Sequence, residues 1–256
     1  MHNRYILPVF ILLFAVSVAS AAPQDNIFQK GVTAVKNFFK GNKEGKEETD
    51  SVQDVDSGDT QSKRKSGKPA VRRDYTLEQL YELTLDENLS VPAVPEDCKD
   101  VVKEHQLTQA RKLVAAGYNV ETMRGGEVVI ATIQSDELFN PNDTVLAPKA
   151  GKQLRSFAQF LRVPDMYRMM LVMHSDNTGT AAYTDALTSS RVLSVLGWFE
   201  SNVSNSDYII PYAMGASEPL FLNNSITNRQ RNRRLEIYLV PGKTLLDLAA
   251  KGQLED

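Results

Sequence analysis

The chain has 256 residues, of which 42% are hydrophobic and 24% are charged. This composition supplies enough apolar surface for one sizeable core, or for one core and a smaller satellite. The formal net charge is only −3. Such a mildly acidic balance gives no electrostatic reason to expect a nucleic acid as the partner.

The first 21 residues contain the three parts of an export signal. Arg4 supplies a short positive region, an apolar run follows over residues 6–19, and Ala19-Ser20-Ala21 matches the small-x-small cleavage pattern. The apolar run is too short to span a bilayer, which takes about 20 residues. We therefore predict that residues 1–21 are a cleaved signal peptide; the alternative is a membrane anchor that is retained.

Cysteine usage agrees with export and adds one detail. Cys98 is the single cysteine, so no internal disulfide can form. It lies far from the predicted cleavage site, where a cysteine that carries a lipid would stand. No later segment is long and apolar enough for a transmembrane helix. We expect a mature periplasmic protein without a lipid or a transmembrane segment.

Residues 22–40 are predicted to hold a short amphipathic helix. Apolar residues recur at helical spacing between Ile27 and Phe39, and Gly41 follows as a stop. The helix could pack on the rest of the protein or on a partner, or it could lie on a membrane surface. The remaining possibility is that the segment has no fixed structure.

Residues 41–73 have the composition of a linker. An acidic stretch between Glu44 and Asp59 precedes a basic stretch between Lys63 and Arg73, and few apolar residues occur in either. Such a segment cannot bury enough surface to offset its ordering entropy. We therefore predict a charged linker over residues 41–73.

The remaining chain is predicted to fold. Residues 74–122 have mostly helical patterns, interrupted at residues 91–95, and their role is unknown. Further along, strand patterns occur at residues 128–133, 167–174, 208–214 and 235–239, with helical patterns between the first three. The predicted fold class is α/β: a two-layer sandwich of a small mixed four-stranded sheet with helices on one face. It is expected to occupy residues 123–242, before a C-terminal tail at residues 243–256.

No residue pattern points to catalysis. His174, Ser175 and Asp176 are the residue types of a catalytic triad, but adjacent side chains on a strand point to opposite faces and cannot form a relay. His105 is the other histidine of the mature chain, no His/Cys cluster has metal-binding spacing, and no phosphate-binding loop is present. We therefore predict that the protein is not an enzyme and has no metal or cofactor.

The densest basic run outside the linker contains Arg229, Arg231, Arg233 and Arg234. A nucleic-acid site is disfavoured, because the run enters an alternating strand that would direct the arginines to different sides. We predict that these arginines are structural or on the surface, and that some pair with carboxylates.

Three blocks of residues occur in order between residues 127 and 241. The first is Leu138-Phe139-Asn140, followed by Leu146 and Pro148; the second is Ser175-Asp176-Asn177-Thr178-Gly179, followed by Tyr183, Leu187, Thr188 and Arg191; the third is the run Asn-Arg-Gln-Arg-Asn-Arg-Arg-Leu-Glu-Ile from Asn228 to Ile237. Together they resemble the C-terminal domain of outer membrane protein A (OmpA). That family includes the peptidoglycan-associated lipoproteins and the periplasmic part of flagellar stator proteins.

The resemblance implies a noncovalent pocket for peptidoglycan. By position, Asp176 would hold the ammonium group and Arg191 the carboxylate of the zwitterionic end of diaminopimelate. Ser175, Thr184 and Asn140 are the other predicted binding residues. The residues implied to build the motif are Phe139, Gly179, Tyr183, Leu187, Asn232, Arg233 and Arg234.

The sequence departs from the family at Thr184, where asparagine is frequent, at Asn228, where glycine is usual, and at Gln230, where a small residue is usual. These departures affect the shape of the pocket more than its charge pair. The expected function is noncatalytic binding of the peptidoglycan stem peptide, which would tether or sense the cell wall in the periplasm, at the wall or the outer membrane. The alternative is a structural docking subunit of an envelope complex, with outer-membrane proteins as partners and weak or no wall binding.

Overall fold

A five-stranded mixed sheet runs through the computed structural model, which describes residues 75–254. The strands are β1 (Asn119–Met123), β2 (Val128–Gln134), β3 (Tyr167–His174), β4 (Ile209–Gly215) and β5 (Arg234–Pro241). Their order across the sheet is β1-β2-β5-β3-β4; β3 and β4 are parallel, and the other neighbouring pairs are antiparallel. The signal peptide, amphipathic helix and linker predicted for residues 1–21, 22–40 and 41–73 lie outside the described residues.

Helices cover both faces of this sheet. The α-helices are α1 (Leu77–Glu82), α2 (Leu85–Ser90), α3 (Lys99–Ala115), α4 (Ser135–Leu138), α5 (Ala150–Arg155), α6 (Ala181–Asn202), α7 (Ile226–Asn232) and α8 (Lys243–Ala250). Short 3-10 helices occur at Glu96–Cys98, Arg124–Gly126 and Ala158–Leu161. Within residues 75–254, none of the helices combines the length and the apolar character that crossing a bilayer requires.

The larger core lies between the sheet and α3, α5, α6 and α8. Val102 of α3, Leu154 of α5, Val195 of α6 and Leu245 of α8 are fully buried there against side chains of β2, β3 and β5. The segment predicted as a C-terminal tail therefore contains a helix, α8, that packs into this core. Since each fully buried aliphatic side chain contributes roughly 1.5–3 kcal/mol, this face supplies much of the stability of the fold.

The predicted α/β class with a mixed sheet is confirmed, but the second face of the sheet carries α1 and α2, so the helices lie on both faces and not on one. Leu80, Tyr81, Leu85 and Leu89 from these helices form a smaller core with β3, β4 and β5. The Tyr81 hydroxyl donates a hydrogen bond to the Ile209 carbonyl at 2.8 Å. Burial on both faces explains why all eight residues of β3 are buried.

Two capping boxes set the start of these short helices. Thr76 caps α1 and exchanges hydrogen bonds with Gln79, and Thr84 caps α2 and exchanges them with Glu87. Each box satisfies two backbone N–H donors that a helix start would otherwise leave unpaired. The spacing Thr-x-x-Gln/Glu thus fixes both helix starts by local contacts.

The sheet has five strands, and the predicted count of four was wrong. The additional strand β1 pairs antiparallel with β2 through register pairs that run from Asn119–Thr132 to Met123–Val128. All residues of β1 are exposed or half-buried. Because β1 lies at the edge of the sheet, it lacks the continuous apolar run that is typical of a buried strand, and the sequence pattern therefore does not predict it.

Asn88 is expected to tie α2 to the sheet. It is fully buried, and its Nδ2 donates to the Leu80 carbonyl at 2.7 Å and to the Tyr212 hydroxyl at 2.5 Å. Asn88→Ala would leave these acceptors without that donor and should lower the free energy of unfolding by about 1–3 kcal/mol. Urea unfolding measures the loss, and Asp86→Asn, on the exposed side of the same helix, should change it little. Equal stability of the two variants would mean that the hydrogen bonds of Asn88 do not stabilise the fold.

Candidate functional site

A cleft of about 640 Å³ opens where β3 ends. It is lined by Asp136, Phe139, Asn140, Pro141, Asn142, Ser175, Asp176, Thr178, Gly179, Tyr183, Leu187, Arg191 and Arg233. Three of these, Tyr183, Leu187 and Arg191, recur every four residues along α6. That spacing places their side chains on one face of the helix, which forms one wall of the cleft.

Asp176 is the buried anion of the cleft, with 4% of its surface exposed. Its Oδ2 accepts a hydrogen bond from Arg233 Nη1 at 2.5 Å, and its Oδ1 accepts one from the Thr178 backbone N–H at 2.7 Å. Burial by itself would raise the pKa of the Asp176 carboxyl, but the hydrogen bonds from Arg233 and Thr178 outweigh it and hold the pKa below its ordinary value. Asp176 is therefore charged at neutral pH.

The pair of Asp176 and Arg233 should make stability depend on pH in a defined window. Since the pKa of Asp176 is lower in the folded than in the unfolded protein, its contribution is complete above the unfolded value of about 3.9. The contribution is lost as the pH falls through the folded pKa. The difference in unfolding free energy between wild type and Asp176→Asn should thus be constant near neutral pH and shrink below about pH 4. A difference that stays constant down to acid denaturation would contradict this pairing.

Arg191 is the second buried charge, with 5% of its surface exposed. Its Nε donates to the Asp143 carbonyl at 2.8 Å, its Nη2 lies 3.4 Å from the Asn140 carbonyl, and its guanidinium stacks 4.8 Å from the centre of the Phe139 ring. Burial lowers the pKa of Arg191, but an arginine stays protonated at neutral pH. A guanidinium has five N–H donors, so these two backbone contacts leave donors for a carboxylate in the cleft.

The turn between β3 and α6 depends on Gly179. Its φ is +105°, and a Cβ at this position would lie 2.9 Å from Cδ1 of Tyr183. A glycine is therefore required by backbone conformation and by the approach of the tyrosine ring. The Tyr183 hydroxyl lies 3.4 Å from Oδ1 of Asn142, which brings the loop after α4 against the start of α6 across the cleft.

Four of the five residues predicted to bind ligand line the cleft, namely Asp176, Arg191, Ser175 and Asn140. Thr184 does not line it. This residue is 1% exposed, and its hydroxyl donates to the Ala181 carbonyl of the preceding helical turn at 3.0 Å. Its side chain is thus turned from the wall formed by Tyr183, Leu187 and Arg191.

The residues predicted to build the motif divide into two groups. Phe139, Gly179, Tyr183, Leu187 and Arg233 line the cleft. Asn232 and Arg234 lie outside it. The pairing of Arg233 with Asp176 could not be predicted, because only the fold brings the two residues together. The backbone is extended at Arg233, which directly precedes β5, and at Arg234, so their side chains face opposite sides.

Arg234 belongs to a buried network on β3 and β5, next to the cleft but not in its lining. Its Nε donates to Glu236 Oε1 at 2.7 Å, Tyr238 donates to Glu236 Oε2 at 2.6 Å, and His174 Nε2 lies 3.4 Å from the same oxygen. Burial would raise the pKa of Glu236, but His174, Arg234 and Tyr238 together lower it to about 2. Burial also lowers the pKa of His174. The prediction that an arginine of this block pairs with a carboxylate is confirmed for Arg233 and Arg234.

The chain is similar to known envelope proteins over the region that holds the cleft. The model of the OmpA family matches residues 138–233. Outer membrane protein A of Bordetella avium is 30% identical over 106 residues, which are 41% of this chain and 55% of that protein. The peptidoglycan-associated lipoprotein of Buchnera aphidicola is 30% identical over 96 residues, which are 38% of this chain and 56% of that protein.

A crystal structure of a MotB-like protein from Desulfovibrio vulgaris aligns with this chain with a TM-score of 0.49 at 22% sequence identity. The alignment covers 56% of this chain and 98% of the MotB-like chain. The chain spans little more than half the length of the two curated relatives. The family match includes the residues from Leu138, at the end of α4, to Arg233, which pairs with Asp176. Residues 138–233 of this chain are therefore an OmpA-family domain.

Proposed function

We propose that the cleft binds the stem peptide of peptidoglycan and holds the zwitterionic end of diaminopimelate, without catalysing a reaction. The observation that carries the proposal is a buried acid, Asp176, in one cleft with a buried guanidinium, Arg191. The acid can bind an ammonium group, and the guanidinium can bind a carboxylate with two parallel hydrogen bonds.

The charges of the cleft suit a zwitterion better than an ion of one sign. The acidic residues in its lining are Asp136 and Asp176, and the basic ones are Arg191 and Arg233, so the charges cancel. A ligand with a net charge would leave that charge uncompensated in a partly dry site, which is costly. An amino acid end group brings one charge of each sign and leaves none unpaired.

A ligand that enters the cleft must share the Asp176 carboxylate with Arg233 or displace this arginine. Arg233 already pairs with Asp176, and its side chain is 32% exposed, so it can move or share the carboxylate at modest cost. A carboxylate offers about four lone-pair positions, so Asp176 can accept an ammonium while it keeps the Thr178 and Arg233 hydrogen bonds. We expect Arg233 to approach the carboxylate of the ligand from the side opposite to its contact with Asp176.

The similarity to a peptidoglycan-associated lipoprotein and to an outer membrane protein supports this function. It also supports a location in the cell envelope, on the periplasmic side and near the wall or the outer membrane. The predicted export signal is consistent with that location. In this setting the domain would tether or sense the wall.

Co-sedimentation with purified sacculi tests the function. The full-length chain should pellet with sacculi that contain diaminopimelate, and an excess of free diaminopimelate should release it. The folded chain staying in the supernatant would contradict the proposal and favour a docking subunit of an envelope complex. Pelleting that free diaminopimelate does not reverse would place the contact with the wall outside this cleft.

A further inference from the structure

A second exposed feature lies in the loop between β4 and α7 and includes Ile226, the first residue of α7. Large hydrophobic side chains stand out from it in a short stretch: Leu220, Phe221, Leu222 and Ile226 are 56%, 39%, 76% and 78% exposed. We call residues 220–226 the apolar loop. Isolated exposed hydrophobic residues are ordinary, but four within seven residues of the chain make this segment a candidate contact surface.

The apolar loop is held in place by side chains of α7. Asn232 is fully buried and bonds both the N–H and the carbonyl of Phe221, at 3.0 and 2.7 Å. Arg229 Nη1 donates to the Asn223 carbonyl at 3.1 Å. Because the loop is already ordered, burying its side chains elsewhere would cost little further conformational entropy.

Three side-chain oxygens of the apolar loop accept hydrogen bonds from α7. Oδ1 of Asn223 accepts from Asn232 at 2.9 Å, Oδ1 of Asn224 accepts from Asn228 at 3.0 Å, and Oγ of Ser225 accepts from the Asn228 N–H at 3.1 Å. A protein partner would offer hydrogen bonds to such groups, whereas the acyl region of a bilayer offers none. Internal pairing of this kind suits a loop that enters an apolar medium.

The rim of the apolar loop is basic. Between residues 216 and 231 the sequence has two arginines, Arg229 and Arg231, and one acid, Glu218, which gives a net charge of +1. Arg231 is exposed and lies 5.0 Å from the centre of the Phe221 ring. An arginine next to apolar side chains at a surface matches the boundary between acyl chains and anionic headgroups of a membrane.

We propose that the apolar loop inserts into the surface of a bilayer that contains anionic phospholipid. Leu222 and Ile226 enter the acyl boundary, and Arg231 is attracted by the net negative charge of the anionic headgroups. The loop follows β4 and the cleft follows β3, and these strands are parallel, so both features lie at the same end of the sheet. A stem peptide in the cleft would then be held close to the membrane surface.

The fluorescence of a tryptophan placed in the apolar loop reports whether this loop inserts into the bilayer. The signal is specific to the loop even if another part of the chain also binds lipid. In the full-length chain, Trp198→Phe removes the native tryptophan, and Leu222→Trp places the probe at the most exposed part of the Leu-Phe-Leu run. With vesicles of phosphatidylethanolamine and phosphatidylglycerol, the emission should shift to the blue and be quenched by brominated acyl chains. The matched control is Val163→Trp in the same background, because Val163 is 48% exposed and precedes β3 at the other end of the sheet. The control should show neither effect.

Substitutions then test the chemistry of the contact, each measured with the probe at Leu222 retained. Ile226→Ser should weaken partitioning roughly tenfold, as expected for one exposed aliphatic side chain that becomes buried. Arg231→Gln should weaken it about fivefold on anionic vesicles and leave binding to phosphatidylcholine vesicles unchanged. Both residues are exposed, so thermal unfolding of the variants should match that of the parent.

An unshifted, unquenched probe at Leu222 on anionic vesicles would overturn the proposal. Equal shifts at Leu222 and Val163 would also overturn it, because they would show nonspecific adsorption. A probe that shifts with protein concentration in the absence of lipid, together with dimers in sedimentation analysis, would instead assign the apolar loop to contact between two copies of the chain.

Discussion

Replacing Arg234 by alanine should destabilise the fold by about 3–5 kcal/mol, the largest effect expected of a single substitution in the arginine block. Arg234 is 2% exposed, and its Nε lies 2.7 Å from Oε1 of Glu236, which is 7% exposed. Without the guanidinium, Glu236 must either keep an under-compensated charge in the core or take up a proton. Either outcome costs free energy relative to the paired state.

Equilibrium unfolding in urea measures this effect. Arg162→Ala, at an exposed position outside the network, should stay within about 0.5 kcal/mol of wild type. The double variant Arg234→Met with Glu236→Gln removes both charges, keeps an amide oxygen as acceptor for Tyr238, and should recover part of the loss, because no charge is then left unpaired in the core. If Arg234→Ala unfolds like Arg162→Ala, the network does not stabilise the protein.

Loss of either charge of the proposed binding pair should weaken ligand binding by about 2–5 kcal/mol, as for one partner of a buried charge pair. This range corresponds to roughly a 30-fold to several-thousand-fold increase in Kd. Asp176→Asn leaves the ligand ammonium without its counter-charge, and Arg191→Gln leaves the carboxylate without a fork of donors. The double variant should be little worse than either single one, because the two contacts share one ligand group.

Controls separate binding from folding in these variants. Asp176 and Arg191 are 4% and 5% exposed, and Arg191 also holds the carbonyls of Asn140 and Asp143, so circular dichroism and unfolding must accompany each titration. Asp207→Asn, exposed and before β4, is the matched control and should bind like wild type. Arg191→Lys should recover only part of the affinity, since lysine cannot form the planar bidentate contact. Wild-type affinity in both folded pocket variants would eliminate the proposed site.

Much of the fold was predictable because the buried strands carry their own signal. The apolar run at residues 167–174 coincides with β3, and the runs at 128–133 and 208–214 agree with β2 and β4 to within one residue at each end. Such continuous apolar runs are typical of strands that are buried on both faces. The second helical layer was nevertheless missed, since α1 and α2 have six residues each and reveal their packing only through contacts distant in sequence.

The site was predictable to the extent that it depends on sequence motifs. Helical spacing and the Asp-Asn-Thr-Gly turn bring Asp176 and Arg191 to one cleft, as the family resemblance implied. The contact between Arg233 and Asp176 spans 57 residues and depends on β5 lying beside β3, which no local pattern specifies. Thr184 was assigned to the site by alignment with a family position, although a residue next to Tyr183 on a helix points about 100° away from it.

Two calorimetric titrations show whether the cleft recognises the zwitterionic end of diaminopimelate. One peptide is a stem tripeptide that ends in diaminopimelate, and the other has lysine in its place, which keeps the side-chain ammonium and removes the adjacent carboxylate. We expect the full-length chain to bind the diaminopimelate peptide and to bind the lysine peptide at least about 30-fold more weakly, because the arginines of the cleft lose their anionic partner. Equal affinity for the two peptides would contradict recognition of a zwitterion by Asp176 and Arg191.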